Sequence, residues 1–502
     1  MTNRRLMVKK VGGLLLVLGV SLSLCAQDDS LHVKAWQHDS LCIAPEPKPR
    51  PWLALAEAEG INLGLLAFDH YVLDATYAQV TMKTIRRNVK LKEWFWDSDL
   101  AYTNLFEHPY HGALYFNSAR SNGLSFWQSA PYAIGGSLLW EIAGECELPS
   151  ANDFIATSAG GIAIGEVTHR LSSLVLNDSR RGFSRFMTEL IAAAIDPPRG
   201  LNRIIRGDAW HVRHDHHLYH DYNSIPVGLS LSTGWRHLDL SGQTKSAMNS
   251  AFFDVSIRYG NATDCRQNKP YDHFLANLQI VVGGHQNMLH RAHITGRLKG
   301  WQTSNTESWQ SAAGIYQFFN YRYTDNVSSG EVPFILSEAA SIGPGFTVRH
   351  AEGGGNGTPQ HHIFEASAFV SGIGLGGSMS DYKDERHTRN YSFGSGFSTK
   401  LHLLAEPSRW LRFTLSAEYT RLFTWKSYED TNYKPEIYKN SAQGDAGNTW
   451  MTIVSPTLDV RISGSYWLSL SGDYLLRHTN YKYHPHVASN TRDLRIALKY
   501  CL

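Results

Sequence analysis

The chain has 502 residues, with 47 lysines and arginines against 45 aspartates and glutamates. That balance removes the electrostatic footprint of a nucleic-acid binder. Charged residues reach only 18% and aromatics 12%, with a mean hydropathy of −0.30; this is too polar for a bundle of membrane-spanning helices and suits a transmembrane β-barrel, whose strands average an apolar face with a polar one.

Arg4, Arg5, Lys9 and Lys10 precede a short apolar run at 11–24, followed by Cys25, Ala26 and Gln27. A basic start, an apolar middle and a small residue at the cut predict a signal peptide over 1–26, removed after Ala26. Leu24 before Cys25 argues against lipid acylation of that cysteine. Cys42, Cys146, Cys265 and Cys501 are too scattered for a metal motif or a disulfide framework. Pro45, Pro47, Pro49 and Pro51 alternate at the end of a tether over 27–51, extended and semi-rigid.

Residues 52–201 read as a helical module. Trp52–Tyr71 forms one helix. Pro131 is placed in the first turn of a helix running through Glu145, where its missing N–H does no harm. Ser150 caps a helix from Ala151 to about Leu176, with Asp153 three residues on. A last helix, about Gly182–Ile195, stops at Pro197 and Pro198. No stretch after the signal has the roughly 20 uncharged residues of a spanning helix. A His-rich junction occupies 202–224.

From about 225 the period changes to two. Leu411, Phe413, Leu415, Ala417 and Tyr419 alternate with Arg412, Thr414, Ser416 and Glu418, which a strand between lipid and a polar lumen must show. About twelve such strands run from 225 to 502. The expected fold class is α+β: an N-terminal helical module, acting as a plug or lying beneath, followed by a closed antiparallel outer-membrane β-barrel. A soluble β-sandwich would not need polar faces on nearly every strand. Leu494, Ile496, Leu498, Tyr500 and Leu502 alternate to the last residue. This resembles the C-terminal signal read by the barrel-assembly machinery, with Leu502 where that pattern prefers Phe or Trp.

Within the helical half the words WFWDSD, NLFEHPYHGALYFNSARSNG, SLLWEIAGE, PSANDF and GGIAIGEVTHR stand in order. They resemble an uncharacterised family of Gram-negative envelope proteins, the domain of unknown function DUF3943, over about 95–205. The resemblance implies an exported protein with a helical module ahead of a β-rich half, and no established activity.

The polar residues of that region form a candidate site: His108, Arg120, Glu141, Glu145, Asp153, Glu166 and His169. Glu141 and Glu145, four apart, share a helix face, where like charges repel unless a cation or proton compensates. Glu166 and His169 have the Glu-x-x-His spacing of di-iron bundles, without a second copy. Such a set is read as a buried polar network, as a catalytic or metal constellation, or as a polar ligand site. His211, His214, His216, His217 and His220 crowd a second, weaker metal candidate. Neither Gly-x-Ser-x-Gly nor His-Glu-x-x-His occurs.

The leading expectation is a non-enzymatic outer-membrane barrel serving envelope structure, transport or maintenance. The alternative is a lipid- or glycan-modifying enzyme using the His/Glu/Asp set; a passive pore ranks last, since a plugged barrel of this size is narrow. Outer-membrane lipid, the assembly machinery and a polar or lipid ligand are the expected partners, nucleic acid is not, and no cofactor is specified.

Overall fold

A computed structural model describes residues 48–90, 94–212, 226–240, 247–283, 289–324, 334–352, 361–382, 389–428 and 442–502. The signal segment, nearly all of the tether and most of the His-rich junction lie outside these residues.

Twelve strands form a closed meander: β1 Val227–Leu240, β2 Met248–Tyr259, β3 Phe274–Val282, β4 Leu289–Asn305, β5 Trp309–Tyr323, β6 Ile335–Glu352, β7 His361–Met379, β8 Tyr391–Ser408, β9 Leu411–Thr424, β10 Gly447–Ser463, β11 Tyr466–Tyr481 and β12 Val487–Cys501. Each strand pairs antiparallel with its chain neighbours, and β12 closes on β1 from Ser230↔Cys501 to Leu240↔Thr491. An even count brings both ends of the wall to one rim. There β8–β9 and β10–β11 are joined by the tight turns at 409–410 and 464–465, whereas the opposite rim carries the longer connections 380–390 and 425–446.

The two-residue period sorts the wall. Leu494, Ile496 and Leu498 are exposed on the outside, while Asp493, Arg495 and Ala497, which alternate with them, are buried within. Pairing carries this alternation around the barrel, so Arg236, Asp254, Arg291, Arg322, Glu338, Lys400, Glu418 and Asp473 all point into the lumen.

The helices are α1 Pro51–Tyr71, α2 Met82–Asn88, α3 His108–Ser121, α4 Phe126–Leu139, α5 Ala151–Ile155, α6 Gly161–Val175, α7 Gly182–Ile195 and α8 Pro197–Ile205. Ser125 caps α4 through a reciprocal pair with Gln128, so Pro131 lies inside that helix rather than in its first turn. The chain from Ala151 to Val175 is not one regular helix, because a wide π turn at Ala156–Gly160 separates α5 from α6. Beyond it Gly161 meets Gly112 of α3: a Cβ built on Gly112 would stand 1.8 Å from the Thr157 carbonyl oxygen, and one on Gly161 2.5 Å from the Gly112 carbonyl carbon. The parallel helices α3 and α6 touch backbone to backbone here, and only glycine allows it.

The module does not enter the lumen, contrary to the plug expectation. The barrel residues it covers are those pointing outward: Tyr259, Phe274, Phe319, Tyr321, Tyr391 and Phe393 share one buried core with Leu105, Phe116, Phe126 and Val167. Phe126 stacks against Tyr271 near the tight-turn rim, and Trp96 against Phe393 near the loop rim. The helices therefore lean along the outside of β2 to β8 over the height of the wall. The lumen charges pair with each other: Arg297 with Asp272, Glu418 with Lys400, and Arg412 with Glu406. Among the described residues no helix is long and apolar enough to cross a membrane.

Candidate functional site

The seven candidate side chains divide into two clusters. His108 opens α3 and Arg120 nearly ends it, so about 18 Å of helix separates them.

The first cluster lies at the loop rim, where α3 begins, α4 ends and α5 starts. Glu141 accepts the Ser150 N–H at 2.6 Å, and Glu145 accepts the Trp140 indole N–H at 2.7 Å. Asp153 accepts from Asn152 at 2.6 Å, and its Oδ1 is 3.7 Å from His108 Nε2. The Asn152 amide oxygen in turn accepts the Asp97 N–H at 2.8 Å. Arg389, at the end of the β7–β8 connection, donates to the carbonyl oxygens of Asp97 at 2.6 Å and Ala442 at 2.7 Å, which ties the cluster to the barrel. Exposed Asp99, Glu107 and Glu147 surround it.

Burial dominates the electrostatics. It raises Glu141 well above the usual carboxylate range, helped by the charges of Asp153 and Glu145. Burial and then Asp97 raise Asp153. Burial pushes Glu145 up to about 7 against the opposing pull of His108. The His111 ring meets the Trp140 indole edge-on, with ring centroids 5.1 Å apart. The cluster therefore holds protons that free carboxyls would release, and one of them exchanges near neutrality, the range useful to a general acid or base.

This gives a testable sign. Between 4.5 and about 7 the folded protein keeps a proton on Glu145 that the unfolded chain has lost. The stabilisation is complete in acid and disappears as pH rises through the folded value, at most roughly 3 kcal/mol in all. Midpoints of thermal unfolding in detergent should fall between pH 5 and 8, and Glu145→Gln should flatten that fall. An identical slope in the variant would remove Glu145 as its source.

The second cluster sits nearer the tight-turn rim. Glu166 is fully buried; Arg120 donates to both of its oxygens, Nε to Oε2 at 2.7 Å and Nη2 to Oε1 at 3.2 Å, and Arg170 Nε donates to Oε1 at 2.8 Å. Arg170 also donates to the Pro270 carbonyl at 2.6 Å, before β3. His169 faces Asp196 instead, Nδ1 to Oδ2 at 3.2 Å, and Arg199 donates to the His169 carbonyl at 2.9 Å. The Glu-x-x-His pair is thus split between different partners. A carboxylate clasped by two guanidinium groups is held by charge-assisted hydrogen bonds, the strong kind. Among the described residues no three side chains of ligating type converge to hold a metal ion. His211 is exposed after α8; His214, His216, His217 and His220 lie outside the described residues.

Asp97, Asp99, His111, Arg170, Asp196 and Arg389 belong to these clusters and are absent from the sequence-derived set. Arg170 was readable, four residues after Glu166 on the same face. Arg389 was not, since its contact crosses from barrel to helices.

A family model for a domain of unknown function, DUF3943, matches residues 93–198, which span both clusters. No curated protein matches the chain. Among solved structures, the NanC porin is 11% identical and covers 54% of this chain and 98% of its own, with a TM-score of 0.26. The outer-membrane protein OmpT of Vibrio cholerae is 8% identical over 55% of this chain and 99% of its own, at 0.22. The toluene transporter TodX of Pseudomonas putida is 8% identical over 55% and 89%, at 0.21. Likenesses at this level add nothing to what the closed barrel itself shows.

Proposed function

We propose that the protein is a non-conducting outer-membrane barrel that serves the envelope as a structural element, with its working surface on the flank rather than in the lumen. The observation that carries this reading is a lumen bridged by its own charges. Arg258 of β2 meets Glu365 of β7 at 2.9 Å, and Asn320 of β5 donates to Glu418 of β9 at 3.1 Å. Asp473 of β11 gathers Arg495 at 2.9 Å with Arg291 and Arg322, both at 3.6 Å, from β4 and β5. Lys400 reaches Glu338 at 2.7 Å and Glu418 at 3.3 Å. Contacts between strands so far apart in the wall cross the lumen, and paired charges of this kind make a rigid interior. The exposed apolar outer face, with Trp235, Leu468, Leu470 and Ile496, supports a lipid setting. Export by the N-terminal segment and insertion by the barrel-assembly machinery belong to the same proposal.

Two measurements test it. The purified protein in planar bilayers should give no steady current, whereas Lys400→Ala combined with Arg322→Ala should admit ions; a stable open conductance in the unaltered protein would overturn the closed lumen. Leu415 faces out and Ser416 in, so Leu415→Arg should cost roughly 2–4 kcal/mol near the midplane and Ser416→Arg much less. Equal tolerance at both sites, or recovery of the protein as a soluble periplasmic species, would end the membrane reading.

A second reading is favoured by Glu145, whose proton exchanges near 7 beside His108: an acid–base pair acting on envelope lipid or glycan. Normal assembly of Glu145→Gln with an altered lipid or glycan profile would favour it over the structural role.

A further inference from the structure

The helices that lean on the barrel are built inside out. Along α1 the exposed positions include Leu55, Leu63 and Phe68, while the acidic residues turn inward. Glu57 accepts from Asn122 at 2.7 Å and Asn202 at 2.8 Å, and Glu59 from Asn62 at 3.2 Å. In α7 and α8 the same inversion is stronger. Arg185 pairs with Asp178 at 2.8 Å and Glu189 at 3.0 Å, and Arg203 with the same two carboxylates at 2.7 and 2.8 Å. These four charges lie beneath a surface that exposes Phe186 and Ile204. No exposed residue of α1, α4, α7 or α8 is charged. A water-facing helix shows the reverse pattern.

Among the described residues, the exposed charges of the module gather at its two ends. Lys48, Arg50 and Arg181 stand on the tight-turn side, and Lys83, Arg86 and Glu107 on the loop side. Between these ends the exposed faces of α1, α4, α7 and α8 form an uncharged band. The 21 residues of α1 measure about 31 Å at the usual helical rise, close to the roughly 30 Å of a bilayer core. Hydropathy averaged around each helix hides this, because the inward faces carry paired charge that only the protein sees.

We infer that the helical module is an intramembrane element: α1, α4, α7 and α8 present their outer faces to the acyl chains of the bilayer, beside the barrel, and together with it form one lipid-facing surface. The inference rests on the membrane setting proposed above for the barrel. The module is then neither a plug nor a domain in the aqueous space beneath.

Spin labels on single introduced cysteines in the full chain test it, with signal from the unsubstituted protein subtracted. Leu63→Cys, Ile134→Cys and Phe186→Cys report on the module, Ile496→Cys on the barrel wall, and Lys83→Cys on the charged end. In vesicles of phosphatidylcholine and phosphatidylglycerol, collisions with oxygen relative to a water-soluble nickel chelate should be severalfold higher at the three helix positions than at Lys83→Cys, and equal to those at Ile496→Cys. Helix labels behaving like Lys83→Cys beside a lipid-exposed Ile496→Cys would overturn the inference alone. An Ile496→Cys label open to the chelate would instead overturn the membrane setting of the barrel. Helix labels shielded from both reagents and broadened by one another would show a second copy on this face, which also overturns the assignment to lipid.

Discussion

Glu166→Gln is expected to lose 3–5 kcal/mol of stability, on the order found when one partner of a buried ion pair is removed. Arg120 and Arg170 both pair with this fully buried carboxylate. The amide keeps the shape and one acceptor oxygen but leaves two guanidinium groups facing a neutral partner. Urea unfolding in detergent, followed by protection of the module from protease, reads the effect. A loss below about 1 kcal/mol would mean the pair is solvated in the folded protein, as surface pairs are. Equal damage in chelator-treated protein would speak against a metal role for Glu166.

Gly112→Ala is expected to separate α3 from α6. The added methyl would sit 1.8 Å from a backbone oxygen of Thr157, an atom that cannot rotate aside. Overpacking of this kind costs typically 1–3 kcal/mol and more where backbone must move, so a loss of about 3 kcal/mol is expected in the same assay. Gly60→Ala is the control. Nothing lies within 4 Å of its Cβ position, and the better helix former should add up to about 1 kcal/mol. If the two changes behave alike, the close crossing is absent in solution.

The barrel was readable because a wall with lipid on one side and charge on the other must alternate, and β9, β11 and β12 do so almost without fault. The placement of the helices was not readable, although β5 carried a trace of it. Its run Tyr316, Gln317, Phe318, Phe319, Asn320 and Tyr321 puts aromatics on both faces: Phe318 packs inside with Tyr316 and Phe369, while Phe319 and Tyr321 join the helices outside. A strand covered on both sides loses its period, and sequence alone does not say what covers it. The candidate site shows the same division. Spacing along one helix identified Glu141 with Glu145 and Glu166 with His169, but a shared helix face did not mean shared partners. Glu166 and His169 are drawn apart by Arg170 and Asp196, contributions from the next turn and from the next hairpin. Asp97 and Arg389 enter from segments that carry no periodic pattern at all.

The position of the seam has a consequence for biogenesis. β1 meets β12 only after every other strand has been made, so this pairing closes the longest loop in the wall and is the slowest to find by chance. The helices dock on β2 to β8, to one side of that seam, with Val227 of β1 at the edge of the shared core. They precede those strands in the chain and can be captured by them while the sheet is still open. Docking first would turn the nascent sheet into a stiff half-shell whose free edges are its two ends, β1 and β12. The last strand then zips against a prepared edge, and an exposed template for mispairing with other chains lasts only until that final step.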